Sequence, residues 1–348
     1  MPSGGKRKGA GNKKKDPDAL KVRMVLHLDP EISKLIKENG ITSYSQFVNN
    51  ILKNRSTDRV HQQAKIISFV NQAGGVAKTT MTMNIGYHLA KLGHRVLLID
   101  LDPQASLTTF MGLESHELSQ TIADTLINKD FDLPIHADLY GMDLVPSSLD
   151  LSSIELQLVS LMAREVLLKN ALVKHLTNYD FILIDCPPNL GILNVIALTA
   201  STHVIVPVQT QYKAFKGVDS LLDTVAKIKA HVNPTLKIGG FIPTMHTQAS
   251  QNILILDALK SNLEAIAPIF PAIPRATAFA DASMHHRPLA IHNQYHPALA
   301  ALDSIAALVG VLDDTTATIS IFAEIENLKQ ERVGNKLGSA GTGVSTNG

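Results

Sequence analysis

The chain has 348 residues, 45% of them apolar, and a formal net charge of +1, which suits one α/β domain of about 250 residues plus a small extra module. A single cysteine, Cys186, excludes a disulfide framework and suits a reducing compartment. The amino-terminal residues lack the apolar stretch of a signal peptide, and no run of about 18 apolar residues offers a membrane span. The near-neutral total hides an asymmetry. Residues 1–65 hold 14 Lys/Arg against 6 Asp/Glu, and the remainder hold 18 against 25. A front end of net +8 on a body of net −7 points to a polyanionic partner.

In chain order, residues 1–20 read as a disordered basic tail, with Lys6-Arg-Lys8 and Lys13-Lys-Lys15 set among Gly and Asn. Lys21 to Leu28 then alternates strictly, as a half-buried strand does. Val22, Met24, Leu26 and Leu28 share one side; Lys21, Arg23, Val25 and His27 share the other. Asp29-Pro30 opens a helix, Asp as its cap and Pro at its first position. Asn39-Gly40 ends it, and a second helix follows Ser43, with Gln46 completing a capping box. The order strand, helix, turn, helix over residues 21–58 resembles a ribbon-helix-helix DNA-binding domain. One copy has too little core to fold alone. The resemblance implies two copies pairing their strands into a ribbon that enters the major groove. Lys21 and Arg23 then reach base edges, His27 shares their face, and the N–H groups near Ser43 clamp a phosphate. The alternative is a dimerisation arm without base readout, and the outward methyls of Val25 favour it.

The most informative segment follows. Ile66-Ile-Ser-Phe-Val70 reads as a buried strand, Asn71 to Ala77 as a glycine turn, and Met81 to Ala90 as a helix. A strand, a glycine turn and a helix N-terminus form an anion cradle of converging N–H groups. Lys78 is placed for the β/γ-phosphates and Thr79 for Mg²⁺. Two further apolar strands end in acids: Arg95 to Asp102, and Tyr179 to Asp185. Ligands bind beyond the carboxyl ends of strands in open parallel sheets. Lys78, Thr79, Asp102 and Asp185 are therefore expected at one sheet edge, with a cation nearby to offset the carboxylates.

From about Ala64 to about Val311 the chain resembles the ParA family of partition ATPases, with its deviant Walker A motif. Asn71-Gln-Ala-Gly-Gly-Val-Ala-Lys-Thr-Thr80 matches the family box except at Ala73 and Ala77. Leu98-Ile-Asp-Leu-Asp-Pro-Gln104 matches its second box, and Ile182-Leu-Ile-Asp-Cys-Pro-Pro188 its Walker B strand. Val206-Pro-Val-Gln209 and Ile273-Pro-Arg275 are smaller matches. The resemblance implies an α/β doubly wound, mostly parallel sheet, an ATP and Mg²⁺ requirement, and ATP hydrolysis. It assigns ATP binding to Gly74, Gly75, Val76, Ala77, Lys78, Thr79, Thr80, Asp185, Pro274 and Arg275. Mg²⁺ falls to Thr79, and through water to Asp102 and Asp185. Asp102 orients the attacking water. The family's ATP-bound dimer binds DNA, which implies a homodimer, DNA and a ParB-like adaptor as partners, and a cytoplasmic, nucleoid-associated location.

Ala73 departs from the family at its signature lysine, which crosses the dimer to the partner's phosphates. A methyl group supplies no charge to a developing phosphate anion, and a trans-acting cation is worth on the order of 10³–10⁵ in rate by analogy with an arginine finger. Either hydrolysis is feeble or another cation substitutes. Lys213 is the candidate, with Lys216 second, because both follow the strand His203 to Val208 at the ligand edge. Carboxysome-positioning relatives of the family also lack that lysine. Ala77 adds a methyl close to the phosphates and limits φ.

The remaining segments say less. Asp143 to Pro146 reads as a short strand, Ile238 to Ile242 as a core strand, and Leu299 to Val311 as a docking helix. His285, His286, His292 and His296 form a loose cluster, with no sign of the convergence a metal site needs. Ile321 to Leu328 carries a faint apolar stripe among balanced charges, which speaks against a membrane anchor. The expected organisation is a tail at 1–20, a DNA-binding or dimerisation module at 21–58, an ATPase domain at 64–312, and a C-terminal helix with a disordered tail at 313–348. The expected function is DNA partition. The alternatives are an ATP-gated repressor with little turnover, and a positioning ATPase for a protein compartment.

Overall fold

The computed structural model describes residues 63–128 and 130–313, and at 212–216 the backbone alone. The expectations for Lys21, Arg23, His27 and Ser43, and for the segment after Asp313, lie outside the described residues.

Seven strands form one sheet in the order β3-β4-β2-β5-β1-β6-β7. They are β1 Lys65–Phe69, β2 Val96–Asp100, β3 His136–Leu139, β4 Met142–Val145, β5 Phe181–Asp185, β6 His203–Gln209 and β7 Lys237–Thr244. Every pair is parallel except β3–β4. A parallel sheet is covered on both faces, so its strands are near-continuous apolar runs. That is why VLLID and FILID are apolar up to their last position, and KIISF departs from this only at its first residue, Lys65, and at Ser68. Alternate residues serve opposite faces. Ile67, Phe69, Leu98 and Leu183 belong to one apolar cluster; Ile66, Leu97, Ile99, Ile182 and Ile184 belong to the other.

The helices are α1 Lys78–Lys91, α2 Ser106–Phe110, α3 Ile122–Ile127, α4 Asp150–Leu158, α5 Leu167–Leu172, α6 Ile192–Ala200, α7 Tyr212–His231, α8 Ser250–Leu263, α9 Ala278–Met284, α10 Leu289–His292 and α11 Leu299–Gly310. The first cluster takes Met81 and Ile85 of α1 and Leu302 and Leu308 of α11. The second takes Leu193 and Ile196 of α6 and Val218 and Leu221 of α7. Gly86 lets α1 lie close to the sheet: a Cβ there would sit 2.8 Å from a Leu98 methyl and 3.0 Å from the Met142 sulfur. His88 and Lys91 tie α1 to Asp303 of α11 at 2.7 and 3.6 Å.

The expected elements are all present among the described residues, with two adjustments. The Arg95–Asp102 strand stops at Asp100, because the peptide of Asp102 turns back to bond the Asp100 carboxylate. The strand around Ile238–Ile242 is buried but lies at the sheet edge as β7, with Ile269 bridged to Phe241 on its outer side and Pro274 bridged to His246 just beyond its end.

Candidate functional site

The turn between β1 and α1 is held from three sides. Asn71 is buried; its amide donates to the Pro207 carbonyl at 2.7 Å, and its oxygen accepts from the Ala73 N–H at 2.9 Å. Gln209, at the end of β6, donates to the Gly75 carbonyl at 2.7 Å. Thr244, at the end of β7, donates to the Val76 carbonyl at 3.1 Å. Loop carbonyls are thereby turned away, towards β6 and β7. Gly74 and Gly75 face open space, with no atom within 4 Å of where a Cβ would stand. No side chain caps α1, so the N–H groups of its first turn remain for a ligand.

Gly75 has φ +71°, and Ala77 has φ 72° with ψ 30°. The left-handed region costs an L-residue roughly 1–2 kcal/mol. Ala77 therefore keeps the backbone that glycine would adopt freely, and carries the strain of doing so.

Lys78 begins α1 and folds back over the loop, its ammonium 3.4 Å from the Ala73 carbonyl. It is buried, and burial pulls its pKa down while Asp185, Cys186 and Asp102 pull it up. Asp185 ends β5 beside it. Both Asp185 carboxylate oxygens are buried with no hydrogen bond of good geometry. Burial raises the Asp185 pKa well above the carboxylate range, and the nearby Asp100 charge adds to this. The Thr79 hydroxyl and Lys78 oppose the shift. Burial likewise raises the Cys186 thiol.

Asp100 is a site residue that the motif reading passed over in favour of Asp102. It pairs in register with Asp185 across β2–β5. Its carboxylate accepts from the Thr108 N–H and hydroxyl, both at 2.8 Å, and from the Asp102 N–H at 3.1 Å. Thr108 in turn accepts from the Ser147 N–H at 2.9 Å. Burial nevertheless lifts the Asp100 pKa to about 7. The sequence signal was its position: the last residue of a strand otherwise apolar on both faces. Asp102 lies two residues beyond, largely buried, accepting from the Gln104 N–H at 3.0 Å.

Lys78, Thr79, Asp102 and Asp185 thus meet at the carboxyl edge of the sheet, as expected. Pro274 and Arg275 reach the same edge from the β7 side: His246 bridges Pro274, and the Arg275 N–H donates to the His246 carbonyl at 2.9 Å. The backbone of Lys213 and Lys216 lies in the first turns of α7, which follows β6 at this edge. The four histidines do not converge. His285 and His292 rings lie 5.2 Å apart, but His286 bonds the Thr109 carbonyl and His296 accepts from the Ala298 N–H.

A buried carboxylate without a partner is costly unless a cation joins it. No group of three or more His, Cys, Asp or Glu side chains among the described residues could hold a metal by themselves. The residues fit an ion that takes most of its ligands from phosphate and water, as Mg²⁺ does. An N–H cradle, a buried lysine and a hydroxyl beside that carboxylate define a P-loop nucleotide hydrolase.

Comparison with known proteins specifies the class. The family described as "AAA domain" matches residues 64–238. The chain is 38% identical over 233 residues to the sporulation initiation inhibitor protein Soj of Bacillus subtilis, covering 66% of this chain and 91% of Soj. It is 38% identical over 186 residues to the chromosome partitioning protein ParA of Caulobacter vibrioides, covering 52% and 70%. Among solved structures, cobyrinic acid a,c-diamide synthase from Mycobacterium smegmatis, with bound ATP analogue and magnesium, superposes with a TM-score of 0.58. That likeness has 35% identity and covers 64% of this chain and 91% of the synthase. The chain belongs to the ParA/Soj family of P-loop ATPases. Its reaction is ATP hydrolysis, and its cofactor is Mg²⁺.

Proposed function

We propose that this chain is a DNA-partition ATPase that pairs with a second copy of itself when ATP is bound, binds DNA in that state, and resets by slow hydrolysis. The observation that carries the reading is the unpartnered, buried Asp185 carboxylate beside Lys78 and Thr79. Gly74 to Thr80 would receive the phosphates on their N–H groups, with Lys78 supplying charge. Thr79, and Asp185 and Asp102 through water, would hold Mg²⁺, which supplies charge neutralisation at the transferred phosphoryl group when bound. Asp102 would orient the attacking water. Pro274 and Arg275 would flank the adenine. Lys213, with Lys216 as second candidate, would stand in for the lysine missing at Ala73.

The basic segment of residues 1–65 supports DNA as partner. Lys21, Arg23, His27 and Ser43 are the proposed contacts, in a ribbon-helix-helix module at 21–58 that also serves dimerisation. A ParB-like adaptor would stimulate turnover, and the site of action would be the cytoplasmic nucleoid. Among the described residues no helix is long and apolar enough to cross a membrane.

Light scattering and DNA binding of Asp102→Ala test this. The expected result is a monomer without nucleotide, and a DNA-binding dimer with ATP and Mg²⁺. A protein that stays monomeric at saturating ATP, or binds DNA equally without it, would contradict the reading. A second reading, an ATP-gated repressor with little turnover, is favoured by Ala73 and by the strained Ala77. It predicts the same dimer with no measurable hydrolysis.

A further inference from the structure

Asp102 sits in the short loop between β2 and α2, and four bonds hold that loop. The Asp102 N–H donates to the Asp100 carboxylate at 3.1 Å, its own carboxylate accepts from the Gln104 N–H at 3.0 Å, and its carbonyl accepts from the Ala105 N–H at 2.9 Å. One residue earlier, the Leu101 N–H donates to the Asp185 carbonyl at 2.9 Å. Gln104 and Ala105 belong to the loop itself, so they fix Asp102 only as well as the loop is fixed. Ala105, which starts α2, is left-handed at φ 51°, a backbone that persists where its surroundings over-determine it.

The fixed point is Asp100, and Thr108 is what fixes its carboxylate. The oxygen that does not serve Asp102 accepts both the N–H and the hydroxyl of Thr108 at 2.8 Å. Having given its one proton to Asp100, the Thr108 hydroxyl accepts from the Ser147 N–H at 2.9 Å, just beyond the end of β4. Asp100, Thr108 and Ser147 are all fully buried. Thr108 thus closes residues 100–108 into a ring and fastens the ring to β4. The Leu101 bond fastens it to β5, and these are the two strands that flank β2. A hydroxyl suits the position because it donates to one group and accepts from another. A methyl group does neither.

We propose that Thr108 is a positioning residue for ATP hydrolysis: through Asp100 it holds Asp102 where Asp102 orients the attacking water, a role that rests on the one given to Asp102 above. Being fully buried, Thr108 touches neither nucleotide nor metal. Its effect falls on the chemical step rather than on ATP binding, since misplacing a reacting group by about 1 Å costs on the order of 10² in rate.

The test is single-turnover ATP hydrolysis, with ATP titration alongside, on the full-length protein with Mg²⁺. Thr108→Val keeps the shape and loses the hydroxyl; Thr108→Ser keeps the hydroxyl. Asn233→Ala is the control for lost stability alone, since Asn233 is buried at the opposite end of the sheet, donating to the carbonyls of Leu198, Thr199 and Ser201. Thr108→Val should slow the single turnover by on the order of 10–10² and leave ATP affinity within about twofold. Thr108→Ser should restore the rate, and Asn233→Ala should melt at a lower temperature yet turn over like wild type. Should Thr108→Val not fold, Asp100→Asn breaks the same link from the other side while removing one of two facing buried carboxylates, and it should slow turnover likewise. A wild-type rate in a folded Thr108→Val or Asp100→Asn, with Asp102→Ala inactive, would overturn this inference alone. So would equal losses of rate in Thr108→Val and Asn233→Ala. A wild-type rate in Asp102→Ala would overturn the role of Asp102, and this inference with it.

Discussion

Asp100 and Asp185 stand directly opposite each other at the ends of adjacent parallel strands, both buried. One is wrapped in three hydrogen bonds and the other has none of good geometry. The pairing means that the site holds more negative charge than its own residues neutralise. Lys78 answers only part of it, since its burial works against its own charge.

A first prediction concerns pH. A carboxyl whose folded pKa is raised binds its proton more tightly when folded. Its contribution to stability is therefore greatest below the unfolded value, near 3.9, and is lost as pH climbs through the folded value. For Asp100 that value is about 7, and Asp185 shifts the same way. The nucleotide-free protein should melt at a lower temperature at pH 8 than at pH 5, and Mg²⁺-ATP should remove most of the difference. Asp185→Asn should raise nucleotide-free stability at pH 8 by about 1–2 kcal/mol, since it replaces an unpartnered buried charge, while abolishing the Mg²⁺-dependent gain. A flat melting profile from pH 5 to 8 would contradict the electrostatic picture.

Ala77→Gly should relieve the left-handed backbone at the start of α1. The relief of roughly 1–2 kcal/mol is offset in part by about 0.4–1 kcal/mol of extra unfolded-state entropy. Thermal unfolding should show a small net gain. ATP titration should show tighter binding, because the methyl group no longer stands beside the phosphates. Weaker ATP binding in the glycine variant would count against the placement of the phosphates.

Asn71→Ala removes one bond that fastens the loop to β6 and one within the loop, and leaves the Pro207 carbonyl and Ala73 N–H unsatisfied. Unsatisfied buried groups cost about 1–3 kcal/mol each. Stability should fall by at least the lower figure, and ATP affinity should fall with it, because the N–H cradle is no longer held open. Urea unfolding and ATP titration read the two effects separately.

Much of this was legible in the sequence, for a physical reason. Strands buried on both faces are apolar throughout, so β1, β2 and β5 declare themselves, and the first polar residue after each marks the ligand edge. Asp102 and Asp185, the acids that close two of these runs, followed from that; Lys78 followed from the glycine turn and helix start after β1. Asp100 did not, because a strand-terminal acid looks the same whether it faces solvent or a neighbouring carboxylate, and register decides between them. The braces from Gln209 and Thr244 join residues far apart in the chain, which local pattern does not encode. The antiparallel β3 was invisible too. Its four residues, His-Ala-Asp-Leu, are half exposed and carry no strand periodicity.

The substitution at Ala73 makes the source of the missing charge a question for kinetics. Lys213→Ala should lower ATP turnover by on the order of 10³ if this lysine acts as a trans cation, with ATP binding little changed. Lys216→Ala serves as the comparison. Loss confined to Lys216→Ala would move the role one turn along α7, and no loss in either would favour the repressor reading.

The most direct test of an ATP-hydrolysing partition device is steady-state phosphate release by wild type and Asp102→Ala, each with and without DNA. Turnover should be slow in wild type, rise with DNA, and vanish in Asp102→Ala while ATP binding persists. Equal turnover in the two proteins would contradict the role given to Asp102, and absence of turnover in both despite tight ATP binding would contradict the motor itself.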